Sequence, residues 1–526
     1  MSTIRPPLTS LLVGLATLAV PAAAAPLSTG SLELTVAVEP TGPRILAARP
    51  VAATADPRRT GTDAVALYDR DGSLLGEASL PDPRRRSSIP APGTEGHDHA
   101  VVHLERGVVT VRVPWSGAAP AEARYRNVTL PMPQLTSAGP LPPPGVAELI
   151  QDAGPSDERL DMVFLGDGYT EDQLSDYADD VDRMTSYLLS IEPYGAYADL
   201  FNIWRIDVVS NQTGASHFDQ GQNETRDTAL GCYYGCGGID RLTCCDDGAV
   251  MSLVGDLVPG ADGIMVLIND QTYGGSGGFN YATSYIGDDY GPEVAAHELG
   301  HSLIGLWDEY GYGGSGSGDG PNCSSDPDGA WDSWKGVNGV DAYPECSWSN
   351  LYRPTNTNCM MNTLQDDYCP VCRQEAVLEM YRRLPGLVSS VSPAPDPELV
   401  VDGDGTGRGD VQIEVATHAP SDTLSFSWQL DGEEVSDEAT LDVSCADLEG
   451  EVTLVVSDPT PWVRDDPEGL LTQELGPWNV RSGTCQESRA EKAAEALGCS
   501  TAGSAGASAW LLLGGLALAR RGQRQP

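Results

Sequence analysis

The chain has 526 residues, enough for about three domains, and 40% of them are hydrophobic, enough to build real cores. Asp and Glu number 76 against 31 Lys and Arg, a formal net charge of −45. A surface of that sign repels nucleic acid and anionic lipid, which excludes DNA or RNA as a partner.

Residues 1–25 read as a signal peptide, with Arg5 in the positive region, an apolar run from Leu8 to Val20, and small residues from Ala22 to Ala25 suited to cleavage. The apolar run is too short for a membrane span of ~20 residues. Export implies an oxidising compartment, so the twelve cysteines are read mainly as disulfide partners. Nine of them fall between Cys232 and Cys372, an odd number, so at least one is free or pairs elsewhere. The run Cys232, Cys236, Cys244, Cys245 and the pair Cys369 and Cys372 also suit a structural zinc site, but disulfides fit an exported chain better.

Residues 26–145 alternate apolar and polar positions. Ser31 to Val38 and Val108 to Val113 read as half-buried strands, and Tyr68 to Leu74 as a strand entering an Asp-Gly turn, which together predict a small β-sandwich. His97, His99 and His103 are read as solvated loop histidines. The proline-rich stretch Pro131 to Pro144 marks the first boundary.

The next domain, 155–388, opens with a buried strand, Asp161 to Leu165, and a turn, Gly166 to Tyr169. Thr170 then caps a helix with Gln173 as its capping-box partner. Leu174, Tyr177, Val181, Met184 and Leu188 form its core-facing stripe. Ile203 to Val209, Gly263 to Asn269 and Tyr281 to Ile286 read as further strands, with Gly274 to Gly278 as a flexible loop. Tyr281 to Ile286 is the expected sheet edge for a substrate backbone.

His297-Glu298-Leu299-Gly300-His301 is the stretch that carries chemistry. On a helix, residues four apart share one face, so His297 and His301 can grip one ion. Zinc takes neutral imidazoles at about 2.0–2.1 Å plus a third protein ligand and an open position for water. Glu298 stands where it can take a proton from that water. Gly305 ends the helix and lets the chain fold back. The third ligand is then a carboxylate, Asp308 by spacing with Glu309 as its competitor, or less favourably His217, because the next histidine after His301 is His418 in another domain. The bland alternative is a surface helix that happens to carry two histidines and a glutamate.

Residues 392–486 form a β-rich segment with Trp428 in a strand, predicting an immunoglobulin-like sandwich, although the cysteine spacing is not that of antibody domains. Asp402 to Gly407 hints at a calcium loop, but Ile413 stands where the last acidic ligand belongs, so a plain turn is read. Residues 487–526 form a linker and tail. Gly498-Cys499-Ser500, an apolar stretch from Trp510 to Ala519 and Arg520-Arg521 resemble a myxobacterial C-terminal sorting tag, which implies a tail processed or retained during delivery to the cell surface or membrane.

Gly168-Tyr169-Thr170, Asp227-Thr228-Ala229, His297 to Tyr310, Tyr352 to Thr355, Cys359-Met360-Met361 and Cys369 to Arg373 together resemble the IgA peptidase family of metallopeptidases, over about Asp157 to Arg383. The resemblance implies zinc-dependent hydrolysis of a protein or peptide substrate. Adjacent methionines such as Met360 and Met361 resemble the packing floor beneath the zinc in metzincin-type peptidases. The expected architecture is thus an α/β zincin-type catalytic domain between an N-terminal β-sandwich and a C-terminal immunoglobulin-like one. The rival readings are a surface-binding protein with an inactive peptidase domain, and a zinc amidase acting on cell-wall peptides.

Overall fold

The computed structural model describes residues 30–485 except 57–62, 93–100, 127, 134, 136–143, 288–289, 317, 397, 404–410, 421–422 and 444–448. The signal peptide, His97 and His99, most of the 402–407 turn, Cys445 and the sorting tail therefore lie outside the described residues.

In the N-terminal unit Gly30–Glu39 pairs antiparallel with Gly42–Val51 and Gly107–Trp115. A second sheet runs in the order Leu74–Ser79, Ala64–Tyr68, Glu122–Tyr125, Val128–Pro131. Leu32, Leu34 and Val36 meet Val109, Val111, Val65 and Leu67 in one core between the sheets, as alternation requires. The strands expected to be half-buried are buried on both faces. The reason is that the polar face docks on the next unit: Glu33 accepts from Gly260 N–H at 2.9 Å, and Arg112 reaches Asp262 at 2.6 Å.

The central unit is a six-stranded sheet. Its strands are β1 (Gly145–Gln151), β2 (Leu160–Asp167), β3 (Phe201–Val208), β4 (Gly263–Ile268), β5 (Gly275–Gly277) and β6 (Ala282–Tyr285), in the spatial order β1-β3-β2-β4-β6-β5. β2, β3, β4 and β6 are parallel, and both edges, β1 and β5, are antiparallel. Two expectations are corrected here. The segment at β1, which falls between the expected domains ending at 145 and opening at 155, belongs to this sheet, because its main chain pairs with β3 from Gly145 onward. The last strand of the sheet is β5, within the glycine run, with its outer side bridged only at Ser87 and Leu242, while the expected edge strand β6 is enclosed between β4 and β5.

Helix α1 (Leu174–Leu188) follows the predicted capping box at Thr170 and buries Tyr177, Val181, Met184 and Leu188. Helix α2 (Asp247–Leu257) is capped by the Asp246 carboxylate. Helix α3 (Gly291–Leu299) packs on β5 and β6 and starts with Pro292 in its first turn, where a missing N–H costs nothing. Helix α4 (Pro370–Arg383) closes the unit.

In the C-terminal unit Val388–Ser392, Val411–Thr417 and Thr440–Val443 form one sheet, whose first strand ends at the expected boundary at 392. A five-stranded sheet faces it, and Trp428 stacks against Trp478 inside with ring centroids 5.6 Å apart. A line of ion pairs, buried until it reaches the exposed Glu468, crosses all three units: Arg112 to Asp262 at 2.6 Å, Asp262 to Arg383 at 3.5 Å, Arg383 to Glu379 at 2.8 Å, Glu379 to Arg382 at 2.9 Å and Arg382 to Glu468 at 2.7 Å. The described residues include no helix long and apolar enough to cross a membrane.

Candidate active site

Helix α3 carries His297 and Glu298 in its last turn, and its backbone then widens into a π-turn over Gly300–Ile304 that carries His301. Such a turn takes in one residue more than a regular α-helical turn. Gly305 sits at φ 83°, a left-handed conformation open to glycine, and Leu306 N–H caps Gly300 carbonyl at 2.9 Å. The chain reverses and delivers Asp308 to the histidines.

His297 Nε2 and His301 Nε2 each lie 3.2 Å from Asp308 Oδ1. The other ring nitrogens face carbonyl oxygens, His297 Nδ1 at 2.9 Å from Met360 and His301 Nδ1 at 2.7 Å from Leu306. A carbonyl only accepts, so both protons belong on Nδ1 and both Nε2 lone pairs point at the carboxylate. Three acceptors converging on one point repel each other unless a cation lies between them. Donor chemistry and geometry thus suit a divalent metal held by His297, His301 and Asp308. Burial would raise the Asp308 carboxyl, but positive charge on the histidine side of the site holds it well below the ordinary value. The Tyr312 hydroxyl donates to its other oxygen.

Glu298 is fully buried, and its Oε2 has no hydrogen-bond partner. Burial pushes its carboxyl up to about 8 against the pull of His297. A basic oxygen turned toward the metal-facing nitrogens, 3.9 Å from His301 Nε2, is placed to hold or move a proton.

Glu309, the competitor for the third ligand, points elsewhere. Its Oε1 lies 3.2 Å from Cys372 Sγ and 3.7 Å from Cys369 Sγ, and Thr355 Oγ1 donates to its Oε2 at 3.4 Å. His217 is also taken up elsewhere: its Nδ1 bonds Asp219 at 2.8 Å, its Nε2 bonds Asp270 at 3.1 Å, and its ring stacks on Tyr234. The two methionines are fully buried; Met361 packs under Gly300, where a Cβ would come within 2.8 Å of its sulfur. The motif at Asp227 to Ala229 is scaffold. Thr228 Oγ1 and the Leu230 and Cys232 amides all donate to the buried Asp167 carboxylate, fixing the loop beside Gly168.

The N-terminal unit reaches over this site. Ser87 exchanges both main-chain hydrogen bonds with Gly277 of β5, at 3.2 and 3.1 Å. Ser88 carbonyl accepts from Arg241 at 2.9 Å and from Tyr310 hydroxyl at 3.0 Å, while Ile89 N–H stands 3.5 Å from Glu298 Oε1. Neither this segment nor Arg241 carries a sequence signal for the site; they arrive only through tertiary packing. β5 has to be glycine here, because a Cβ at Gly277 would lie 2.6 Å from His301 Cδ2 and 2.8 Å from Glu298 Oε2. A cavity of about 1090 Å³ opens behind the π-turn, lined by Arg112, Asp262, Ser302 and Arg383, but none of His297, Glu298, His301 or Asp308 lines it.

Disulfides join Cys232 to Cys245, Cys236 to Cys244 and Cys323 to Cys346. The zinc alternative for the first four is thereby set aside. The disulfide expectation for Cys369 and Cys372 is not met: both are free thiols, as is Cys359.

Residues 148–331 match the model of a peptidase family, IgA Peptidase M64. The match starts in β1 and takes in His297 to Glu309, whereas the motifs at Tyr352, Cys359 and Cys369 lie beyond its end. No curated protein matches the chain.

Proposed function

We propose that this chain is an exported zinc-dependent endopeptidase in which His297, His301 and Asp308 hold the ion and Glu298 is the general base. The reading rests on one observation above the others: two imidazole lone pairs and one carboxylate oxygen converge at 3.2 Å beside an unpartnered glutamate oxygen. A zinc ion there supplies Lewis acidity and brings the pKa of water to about 7.

The remaining work falls to the chain. Met360 and Leu306 carbonyls fix both imidazoles with Nε2 outward. Glu298 takes a proton from the attacking water and passes it to the leaving amide nitrogen. Arg241 and Tyr310, which already grip a main-chain carbonyl, hold the scissile carbonyl oxygen as its charge grows. The β5 edge pairs with the substrate backbone and places it. Three disulfides support export, since such bonds persist in oxidising compartments. In the same reading the flanking units are β-sandwiches and the tail serves delivery to the surface.

Glu298→Gln tests the base directly. The variant keeps its zinc and loses about 10²–10⁴-fold in turnover of an unfolded protein substrate; undiminished turnover would falsify the assignment.

A further inference from the structure

We propose a second, structural metal site in this chain, formed by Cys359, Cys369, Cys372 and Glu309. All four are buried, and their ligand atoms lie within 4.8 Å of one another. The spacing is that of a coordination shell. Zinc–sulfur bonds of 2.3 Å in a tetrahedron put sulfurs about 3.8 Å apart, and sulfur to carboxylate oxygen about 3.5 Å. Cys359 and Cys372 sulfurs are 3.7 Å apart, and Glu309 Oε1 is 3.2 Å and 3.7 Å from Cys372 and Cys369.

Chemistry argues the same way. In a chain whose other described cysteines outside the terminal strand are all bonded, three thiols and a carboxylate packed together have no covalent solution, because any one disulfide leaves a thiol and Glu309 behind. A divalent ion uses all four donors, as closed structural zinc sites do. The thiols enter as thiolates and release their protons. Negative charge there is offset by the N-terminus of α4, which starts beside Cys369, by Arg353 and by Asn322, whose amide donates to Glu309 at 3.2 Å. The site ties together the segment after Asp308, the turn before Met360 and the start of α4, so it positions the backbone that carries the catalytic set.

The purified, metal-replete protein should contain two zinc ions per chain by elemental analysis. His297→Ala/His301→Ala should retain one, and so should Cys372→Ser, each losing a different one. Should Cys372→Ser not fold, alkylation of the native protein decides: Cys359, Cys369 and Cys372 are modified only after chelation. One zinc in the native protein, persistent loss of both in the histidine variant, or a disulfide among the three cysteines by mass spectrometry overturns the proposal. The histidine variant separates this outcome from failure of the peptidase reading.

A different observation carries a second inference, which rests on the peptidase reading. We infer that residues 87–89 lie in the cleft as a substrate does, with the Ser88–Ile89 peptide in the scissile position. The carbonyl of that peptide is gripped by Arg241 and Tyr310, and its nitrogen faces Glu298. Arg85 and Arg86 pin the segment, 5.1 Å over the Trp307 ring and 4.1 Å over the Tyr281 ring. Ile89 itself fills an apolar pocket made by Val294, Tyr285, Tyr310 and Leu364. The segment thus restrains the enzyme and reports its preference: a branched apolar residue directly after the cleaved bond.

Ile89→Asp puts a carboxylate into that pocket beside Glu298 and expels the segment. It should raise hydrolysis of quenched fluorescent peptides by tenfold or more, with Ile, Val or Leu favoured after the scissile bond. Ser87→Pro, which removes the N–H given to Gly277, should act in the same direction. Variants that fold and are no faster than the native chain, or a preference for charged residues at that position, overturn the inference. Inactivity of every form with zinc bound overturns the peptidase reading and this one with it.

Discussion

Replacing Asp308 by alanine separates the two adjacent carboxylates by function. A tetrahedral centre with bonds of about 2.0–2.1 Å places its donor atoms roughly 3.3–3.4 Å apart, and Asp308 Oδ1 stands 3.2 Å from both imidazole nitrogens. No other described carboxylate makes that pair of contacts with the histidines: Glu298 Oε2 is 3.9 Å from His301 Nε2, and Glu309 turns to the cysteines. Outer partners of a metal typically cost 10–100-fold in affinity when mutated, so losing a direct ligand should weaken binding by more than about 100-fold. That corresponds to at least about 2.8 kcal/mol. The assay is competition against a chromophoric chelator at fixed pH, run beside Glu309→Ala, with peptide hydrolysis measured in parallel. Asp308→Ala should lose the ion at the histidines and all measurable turnover, whereas Glu309→Ala should keep an ion there. A dissociation constant within tenfold of the native value in Asp308→Ala would show that the third ligand lies elsewhere.

Three further outcomes are expected. Burial alone would lower the His217 pKa, but Asp270 and Asp219 hold it above its ordinary 6.5. Burial would raise Asp270, but the Thr272 amide and His217 hold it below its ordinary 3.8. The histidine contribution is complete below about pH 6.5 and is lost as pH rises through the folded value; the aspartate contribution is complete above about pH 3.8 and is lost on acidification. The difference in thermal midpoint between the native chain and His217→Gln should therefore be greatest between those values, and a difference independent of pH refutes the linkage. Phe164→Ala, at a fully buried position in β2, should cost about 3–5 kcal/mol in denaturant unfolding. Gly277→Ala forces β5 away from His301 by about 1 Å, measured against ordinary carbon contacts of ~3.5–4 Å. In the Ile89→Asp background that shift should lower kcat/KM about 10²-fold; unchanged kinetics there argue against β5 as the substrate edge.

What could be read from the sequence was local. His297, Glu298 and His301 announce themselves through a spacing of four, and the α1 stripe and the Thr170 cap through periodicity and a capping box. Gly305 marks the turn that brings Asp308 and Glu309 back, but which of the two carboxylates faces the histidines depends on a π-turn, which has no residue signature. The edge strand was misplaced for a physical reason: Gly275 to Gly277 has poor strand propensity, and Gly277 is there because His301 and Glu298 leave no room for a Cβ. Ser87 and Ile89 lie about two hundred positions from the residues they touch, so no pattern in the chain could bring them to Glu298 and Gly277. Cysteine pairing likewise depends on which thiols the fold brings together, and spacing alone offered several solutions.

The line of alternating charges from Arg112 through Asp262, Arg383, Glu379 and Arg382 to Glu468 has a consequence for how the molecule comes apart. Two of its links bridge units, Arg112 to Asp262 and Arg382 to Glu468, and add charge pairing to the packed interfaces that seat the flanking units. The units are thereby discouraged from peeling away singly, and heating should melt them in one calorimetric transition rather than three. None of these pairs involves residues 87–89, so the proposed release of that segment from the cleft leaves the wiring intact.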